Sequence, residues 1–368
     1  MDFVNQTQFL AGWTLGFEPD GRELMVVAVK GTFLIPDGAE DPSLSQVQVP
    51  LTEADEFTGE PGLSATRYES DYAHKKRFCD VLLNGCAYAP GGTPVEEVTV
   101  TMQVASMTKS FRVVGNRVWN SGLLSAEPSW PQPFTSLPIT YDRAYGGAEI
   151  DETQPAKCET YRKNPVGAGY YPLSKGGALN GKPLPNTEEL GTRITTPKGS
   201  YAPMSFGPVG RNFEHRALFA GTYDDHWLKS RAPFFPRDFD YRYFQAAPPD
   251  QQLPYLTGGQ SVVLRNLSAD GYKAFRIPAI AMPVLFIAGR GRATLSDAAI
   301  DTLLIEPDLQ RFTLTWRSFL PLRKDCFELR QVVVGKAFAE HRDEQRRPAK
   351  PHYSNLEELI SAKRARRR

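Results

Sequence analysis

The chain has 368 residues, with 43 basic against 42 acidic side chains, 41% hydrophobic residues, and 5 Trp, 15 Tyr and 21 Phe. A net charge of +1 gives no overall field for nucleic acid or an anionic membrane. That aromatic content supplies more buriable area than a disordered chain carries, and thirty Gly with thirty Pro predict a fold rich in turns.

In chain order, Met1 to Gln6 shows no basic region followed by an apolar run, so no secretory leader is expected there. Met25 to Ile35 and Val81 to Tyr88 read as strands. Val98 to Val104 alternates, its Val and Met residues to one side and Thr and Gln to the other, which is the strand period. Lys109 to Val114 runs into Gly115-Asn116 and resumes at Arg117-Val118-Trp119, which predicts a hairpin turn at Gly115-Asn116. Residues 151–210 hold nine Gly and eight Pro, so a long loop region, functional and packed or mobile, is expected. It separates an N-terminal β-rich part (1–150) from a C-terminal one (211–340).

Ser261 to Leu267 and Phe327 to Val334 are further strand candidates. Pro278 to Ala288 is the longest apolar run, eleven residues with two prolines; a membrane span needs about 20, so a buried strand or loop is expected. Asp301 to Ile305 and Arg311 to Arg317 flank Glu306-Pro307-Asp308 as a second hairpin. The tail 341–368 carries nine Lys or Arg against four Asp or Glu, and a capping box at Ser354 to Glu357 predicts a short basic helix. The expectation is a mainly β fold of antiparallel sheets in sandwich- or barrel-like packing, with long Gly/Pro loops and a short C-terminal helix.

Cys79, Cys86, Cys158 and Cys326 sit at no metal or redox spacing and read as reduced, buried thiols. None of the five histidines pairs with another at the helical i, i+4 metal spacing, and neither a nucleophile elbow nor a phosphate-binding loop occurs, so no metal and no cofactor is expected. One polar cluster remains. Asp224, Asp225, His226, Asp238 and Asp240 could serve a carboxylate-dependent hydrolase, or cap turns and pair with Arg231, Arg237 and Arg242. Around them, Ser205 to Phe244 holds eleven aromatic residues interleaved with five arginines, the residue types that anchor protein interfaces. Arg211, Phe213, Trp227, Phe234, Phe235, Arg237, Tyr241 and Tyr243 are the candidate partner-binding residues.

Several stretches form an ordered set: Asp80 to Pro90 (DVLLNGCAYAP), Tyr141 to Gly147 (YDRAYGG), Asn164 to Tyr170 (NPVGAGY) and Leu184 to Asn186 (LPN). The set continues with Ala220 to Asp224 (AGTYD), Pro236 to Asp240 (PRDFD), Phe244 to Gln252 (FQAAPPDQQ) and Leu256 to Gly259 (LTGG). In these the chain resembles a bacterial domain-of-unknown-function family whose members act as effector adaptors, or loading chaperones, of the type VI secretion system. Arg77, Thr187 and Phe213 depart from the family pattern in ways that read as packing variation. The resemblance implies a cytoplasmic, non-enzymatic protein without catalytic residues or cofactor. It would bind a toxic effector and a spike component of the VgrG/PAAR type, and neither nucleic acid nor membrane. It also implies structural roles for Asp80, Gly85, Tyr141, Asp142, Arg143, Gly146, Gly147, Asn164, Pro165, Gly167, Asp224, Asp238 and Asp240. Arg143 would clamp loop oxygens, Gly146 and Gly147 would allow positive φ, and Gly167 would allow close backbone approach.

Overall fold

The computed structural model describes residues 1–335 apart from 39–40, 122–125, 151–156 and 290–291; the basic tail and its expected helix lie outside the described residues. Alternating residues along the long strand Glu23–Leu34 set the architecture. Met25, Val27, Val29 and Phe33 face inward, and Val26, Ala28, Lys30 and Thr32 face outward, yet both sets are buried. This strand sits within a six-stranded sheet whose order is Gln252–Leu253, Cys79–Leu83, Ala299–Glu306, Arg311–Pro321, Glu23–Leu34, Leu10–Phe17. Only Cys79–Leu83 and Ala299–Glu306 run parallel in it.

A five-stranded antiparallel sheet follows the order Thr187–Glu189, Met107–Val114, Glu97–Val104, Ser261–Arg265, Tyr272–Arg276. A four-stranded sheet contains Asp2–Asn5, Leu329–Val334, Pro283–Ala288 and Ala293–Asp297. All three contribute to one apolar core: Met25 and Val29, Val100 and Phe111, and Phe286 and Val332 belong to the same cluster. The protein is mainly β, and its large sheets are open ones that share this core rather than closing into a barrel. Phe312 is fully buried, stacked between Phe33 (ring centroids 5.4 Å) and Phe275 (4.9 Å).

Strands from both sides of the 151–210 segment pair directly, as in Glu97–Val104 with Ser261–Arg265 and Asp2–Asn5 with Leu329–Val334. Within that segment, Tyr161, Leu179, Leu184 and Ile194 close a small separate core together with Trp119 and Tyr145. The turn at Glu306 to Gln310 joins its two strands as expected, with Gln310 left-handed at φ +50°.

Two local expectations need correction. The hairpin after Val104 reverses at Ala105-Ser106, not at Gly115-Asn116. Gly115 serves close approach instead, since a Cβ there would lie 1.9 Å from the Gln132 carbonyl oxygen. Val81 to Tyr88 is also two strands rather than one: after Leu83 the chain breaks at Asn84, and Gly85–Tyr88 pairs with Ser136–Ile139 in a separate sheet. The Asn84 side chain donates to the Arg67 carbonyl at 2.7 Å and holds the break. Among the described residues no helix is long and apolar enough to cross a membrane.

Replacing Phe312 by Ala removes the middle ring of the stack, and the expected loss is about 3–5 kcal/mol of unfolding free energy in denaturant titration.

Candidate interaction surface

Three of the short motifs meet in one knot. Tyr145–Gly146 pairs in parallel with Ala168–Gly169. Asn164 is fully buried and donates its side-chain amide to the carbonyls of Tyr141 (2.9 Å) and Tyr145 (3.1 Å), while its backbone carbonyl accepts from Gly147 N–H (2.8 Å). Gly147 has φ +113°, and a Cβ on Gly146 would lie 2.1 Å from the Asn164 carbonyl oxygen. Gly167 leaves room for the Ala144 carbonyl, 2.5 Å from where its Cβ would be. Pro165 follows Asn164 in the turn.

Arg143 donates to the Asn186 side-chain oxygen at 3.0 Å, and the Asn186 amide nitrogen donates to the Val114 carbonyl at 3.0 Å. The knot is thereby fastened to an edge of the five-stranded sheet. Asp142 accepts from Thr58 Oγ1 and Ala65 N–H, both at 2.7 Å, and ties the knot to the 58–71 loop. Tyr141 is buried with its ring edge-on to Phe213 at 5.4 Å.

A second clamp joins the first motif to FQAAPPDQQ. Asp80 is fully buried and accepts from Lys76 Nζ (2.7 Å), the Gln245 amide (2.7 Å) and Ala246 N–H (2.8 Å). The Gln251 amide donates to the Val81 and Phe206 carbonyls, and its oxygen accepts from Lys109 Nζ at 2.7 Å. Both oxygens of the Asp80 carboxylate are hydrogen-bonded, which is what a buried charge requires. Gly85 lets its strand lie against Pro307, 3.3 Å from where its Cβ would be.

Between these clamps, residues 211–244 make an excursion over the rim of the six-stranded sheet, with two short helices, Glu214–Ala217 and Asp225–Ser230. Arg216 is almost wholly buried and donates to the carbonyls of Val209 (2.8 Å) and Tyr243 (2.7 Å) and to Glu69. Arg211 grips Asp55 with two nitrogens, at 2.7 and 3.1 Å. Phe235 stacks on Phe239 at 4.1 Å, and that pair packs with Tyr241, Tyr243 and Phe244. Phe234 meets Phe17 edge-on at 5.1 Å, and Trp227 Nε1 donates to the Phe234 carbonyl at 2.8 Å.

The candidate partner-binding residues therefore divide. Phe213 lies in the interior at 1% exposure and is no contact residue; its ring is needed against Tyr141. Arg211, Trp227, Phe234, Phe235, Tyr241 and Tyr243 are half-buried: Phe235, Tyr241 and Tyr243 pack with Phe239 and Phe244, Trp227 lies against Tyr223, Phe234 lies against Phe17, and Arg211 holds Asp55. Arg237 is exposed. Three neighbours outside that set of candidates are the most open large apolar groups of the excursion: Leu218, Leu228 and Tyr223, at 74%, 62% and 53% exposure. Leu228 lies in the six-residue helix, too short for periodicity to tell an outer face from an inner one.

The carboxylates of the polar cluster are used locally. Asp224 caps the Asp225–Ser230 helix by accepting from Trp227 N–H at 2.8 Å. Asp238 accepts from Thr222 N–H (3.0 Å) and Oγ1 (2.7 Å), which holds its carboxyl below the usual range. Asp240 caps the turn at Tyr241 to Phe244 and pairs with Arg242 at 2.8 Å. Asp225 and His226 are exposed. Among the described residues no three His, Cys, Asp or Glu side chains gather at metal-binding distance. The cysteines also differ from expectation: Cys79 is buried, Cys86 and Cys326 are half-buried, and Cys158 is exposed. Burial and the nearby Asp308 push the Cys86 thiol up to about 12.

The pattern of a family of uncharacterized proteins conserved in bacteria, DUF2169, matches residues 20–317. The chain belongs to this family. No curated protein and no solved structure matches it. In this DUF2169 protein the residues that depart from the expected motif pattern are structurally at ease. Thr187 is buried and donates to the Met204 carbonyl at 2.7 Å, and Arg77 is exposed near Asp240 at 3.5 Å.

His74 links the excursion to the sheet. Its ring lies over Gly16, 2.7 Å from where a Cβ would be, and touches Phe235 and Phe244 at 5.4 and 5.1 Å. Burial, with help from the Arg317 and Arg211 charges, lowers its pKa to about 4. A base depressed in the folded state is protonated first in the unfolded chain, so its contribution is present above about pH 6.5 and lost as pH falls toward 4.

Two outcomes follow from this geometry. Between pH 7 and 4, wild type is expected to lose about 3 kcal/mol more stability than His74→Phe, measured by denaturant titration at each pH. Gly146→Ala is expected to cost about 2 kcal/mol or more, whereas Gly177→Ala, whose added Cβ meets nothing within 4 Å, changes stability by less than about 0.5 kcal/mol.

Proposed function

We propose that this protein is a non-enzymatic adaptor, or loading chaperone, of the bacterial type VI secretion system. It acts in the cytoplasm, binding a toxic effector and helping to mount it on a spike built from VgrG and a PAAR-type tip. The reading rests on the ordered motif set. The observation that supports it most is the excursion at 211–244, where Leu218, Tyr223 and Leu228 stand exposed on a base held by Arg216, Arg211 and the Phe235–Phe239 stack. A partner that covers these side chains gains apolar burial without having to order the surface beneath them, because the base is already fastened. Of the carboxylates that a hydrolase would use, Asp224 and Asp240 serve as caps, Asp240 also pairs with Arg242, and Asp238 is held by Thr222.

The test is a tagged pull-down from the native bacterium with mass spectrometry. Wild type is expected to retain a spike protein and one large toxin-like protein in near-equal amounts. Tyr223→Ala and Leu228→Asp should each weaken retention by about tenfold or more, equivalent to about 1.4 kcal/mol, with the melting temperature unchanged. A well-folded protein that retains neither partner overturns the adaptor reading. Retention untouched by both variants moves the contact surface elsewhere.

A further inference from the structure

The outward face of the six-stranded sheet is covered by loops, and under them lies a cavity of about 30 Å³ whose wall includes Lys30, Glu69, Asp71, Lys76, Thr302 and Arg317. Lys30 Nζ donates to Asp71 (2.8 Å) and Thr52 Oγ1 (3.4 Å), and Lys76 Nζ to Asp80 (2.7 Å) and Thr302 Oγ1 (3.0 Å). An ammonium has three donors, so each lysine keeps one to spare. Glu69 Oε1 accepts from Arg216 and sits 3.3 Å from Arg211, but Glu69 Oε2 is buried with no hydrogen-bond partner, on a side chain only 5% exposed. A carboxylate oxygen in that position is costly to leave unmatched.

We infer that one bound water molecule, at most a pair, is a built-in part of this fold, accepting from Lys30 and Lys76 and donating to Glu69 Oε2. The wall selects the ligand. The wall carries Lys30, Arg67, Lys76 and Arg317 against Glu69 and Asp71, so a metal cation is repelled and could not accept from the ammoniums, while an anion could not donate to Glu69 Oε2. The volume is sufficient for a water. What remains is a small neutral molecule that both accepts and donates. Its position makes it structural, because Lys30 and Arg317 lie in the sheet while Glu69 and Asp71 lie in the covering loop. Glu69 passes the connection on to Arg216 at the base of the excursion. The water is therefore a shared node between the scaffold and the layer above it, whatever that layer binds.

The test is a crystal structure of the full chain at about 1.5 Å, read together with Ala246→Val, a substitution in the wall of the same cavity. The expected result is a solvent peak of water height within about 3 Å of Glu69 Oε2 and of at least one lysine Nζ. Ala246→Val should then melt at a lower temperature than wild type, because filling the space expels a molecule that satisfied buried charges. Absence of density there overturns the inference, as does a peak with the height and anomalous signal of chloride. A variant that melts at or above the wild-type temperature also counts against it, as a dry void would allow. Should the variant not fold, the wild-type density alone decides.

Discussion

The structure depends on a layer of ion pairs buried on the wrong side, by ordinary expectation, of its main sheet. Asp71 accepts from Lys30 Nζ, Thr52 N–H (2.8 Å) and Thr315 Oγ1 (3.1 Å), and its carbonyl accepts from Arg317. Arg317 in turn pairs with Asp301 at 2.6 Å, at 3% exposure on both sides. Pairs of this kind gain little over an apolar core of equal volume, but removing one member strands the other charge in a medium that cannot solvate it. Their effect is positional. An apolar covering layer could slide; one fastened by matched charges has a single register on the sheet. The covering loops thus sit in one place, and everything they carry sits with them.

Upon that layer the motifs act as fasteners. Asp80 with Gln245, Asn164 with the Tyr141 and Tyr145 carbonyls, and Arg143 with Asn186 each join segments distant in sequence by satisfying buried polar groups. The glycines of the Tyr141 to Gly147 and Asn164 to Tyr170 motifs permit the close backbone contact that these side chains then lock. A loop-rich protein needs such fasteners because irregular backbone has no ladder partner to occupy its N–H and C=O groups. The half-buried aromatics of residues 211–244 take part in the same work, leaving the outermost leucines and Tyr223 as the groups open to another protein.

The period-two runs were legible in the sequence. Val98 to Val104 and Arg311 to Arg317 fall where alternation places strands, because side chains of one strand must face opposite ways, and of the apolar run Pro278 to Ala288, read as strand or loop, Pro283–Ala288 is strand. The close-packed glycines of the motif knot were legible too. Burial of the polar set was not: alternation separates Thr313, Thr315 and Arg317 from Phe312, Leu314 and Trp316 without saying that both sets lie under cover. The reversal at Ala105-Ser106 was missed because Ala105 adopts positive φ despite its Cβ, while Gly115-Asn116 offered the stronger turn signal.

The sequence by itself determined the β class, several of the long strands and the ordered motifs, since these follow from local periodicity and from residue types with narrow conformational uses. The tertiary structure alone decided that Phe213 is interior, that Leu218, Tyr223 and Leu228 are open, and that Asp224 and Asp240 serve as caps while Asp238 holds Thr222. Exposure and hydrogen-bond partnership depend on which distant segment arrives to cover a side chain. Glu69 meets Arg216 across 147 positions, and Asp71 meets Arg317 across 246. No local pattern carries that information, because it is created only when the chain closes on itself.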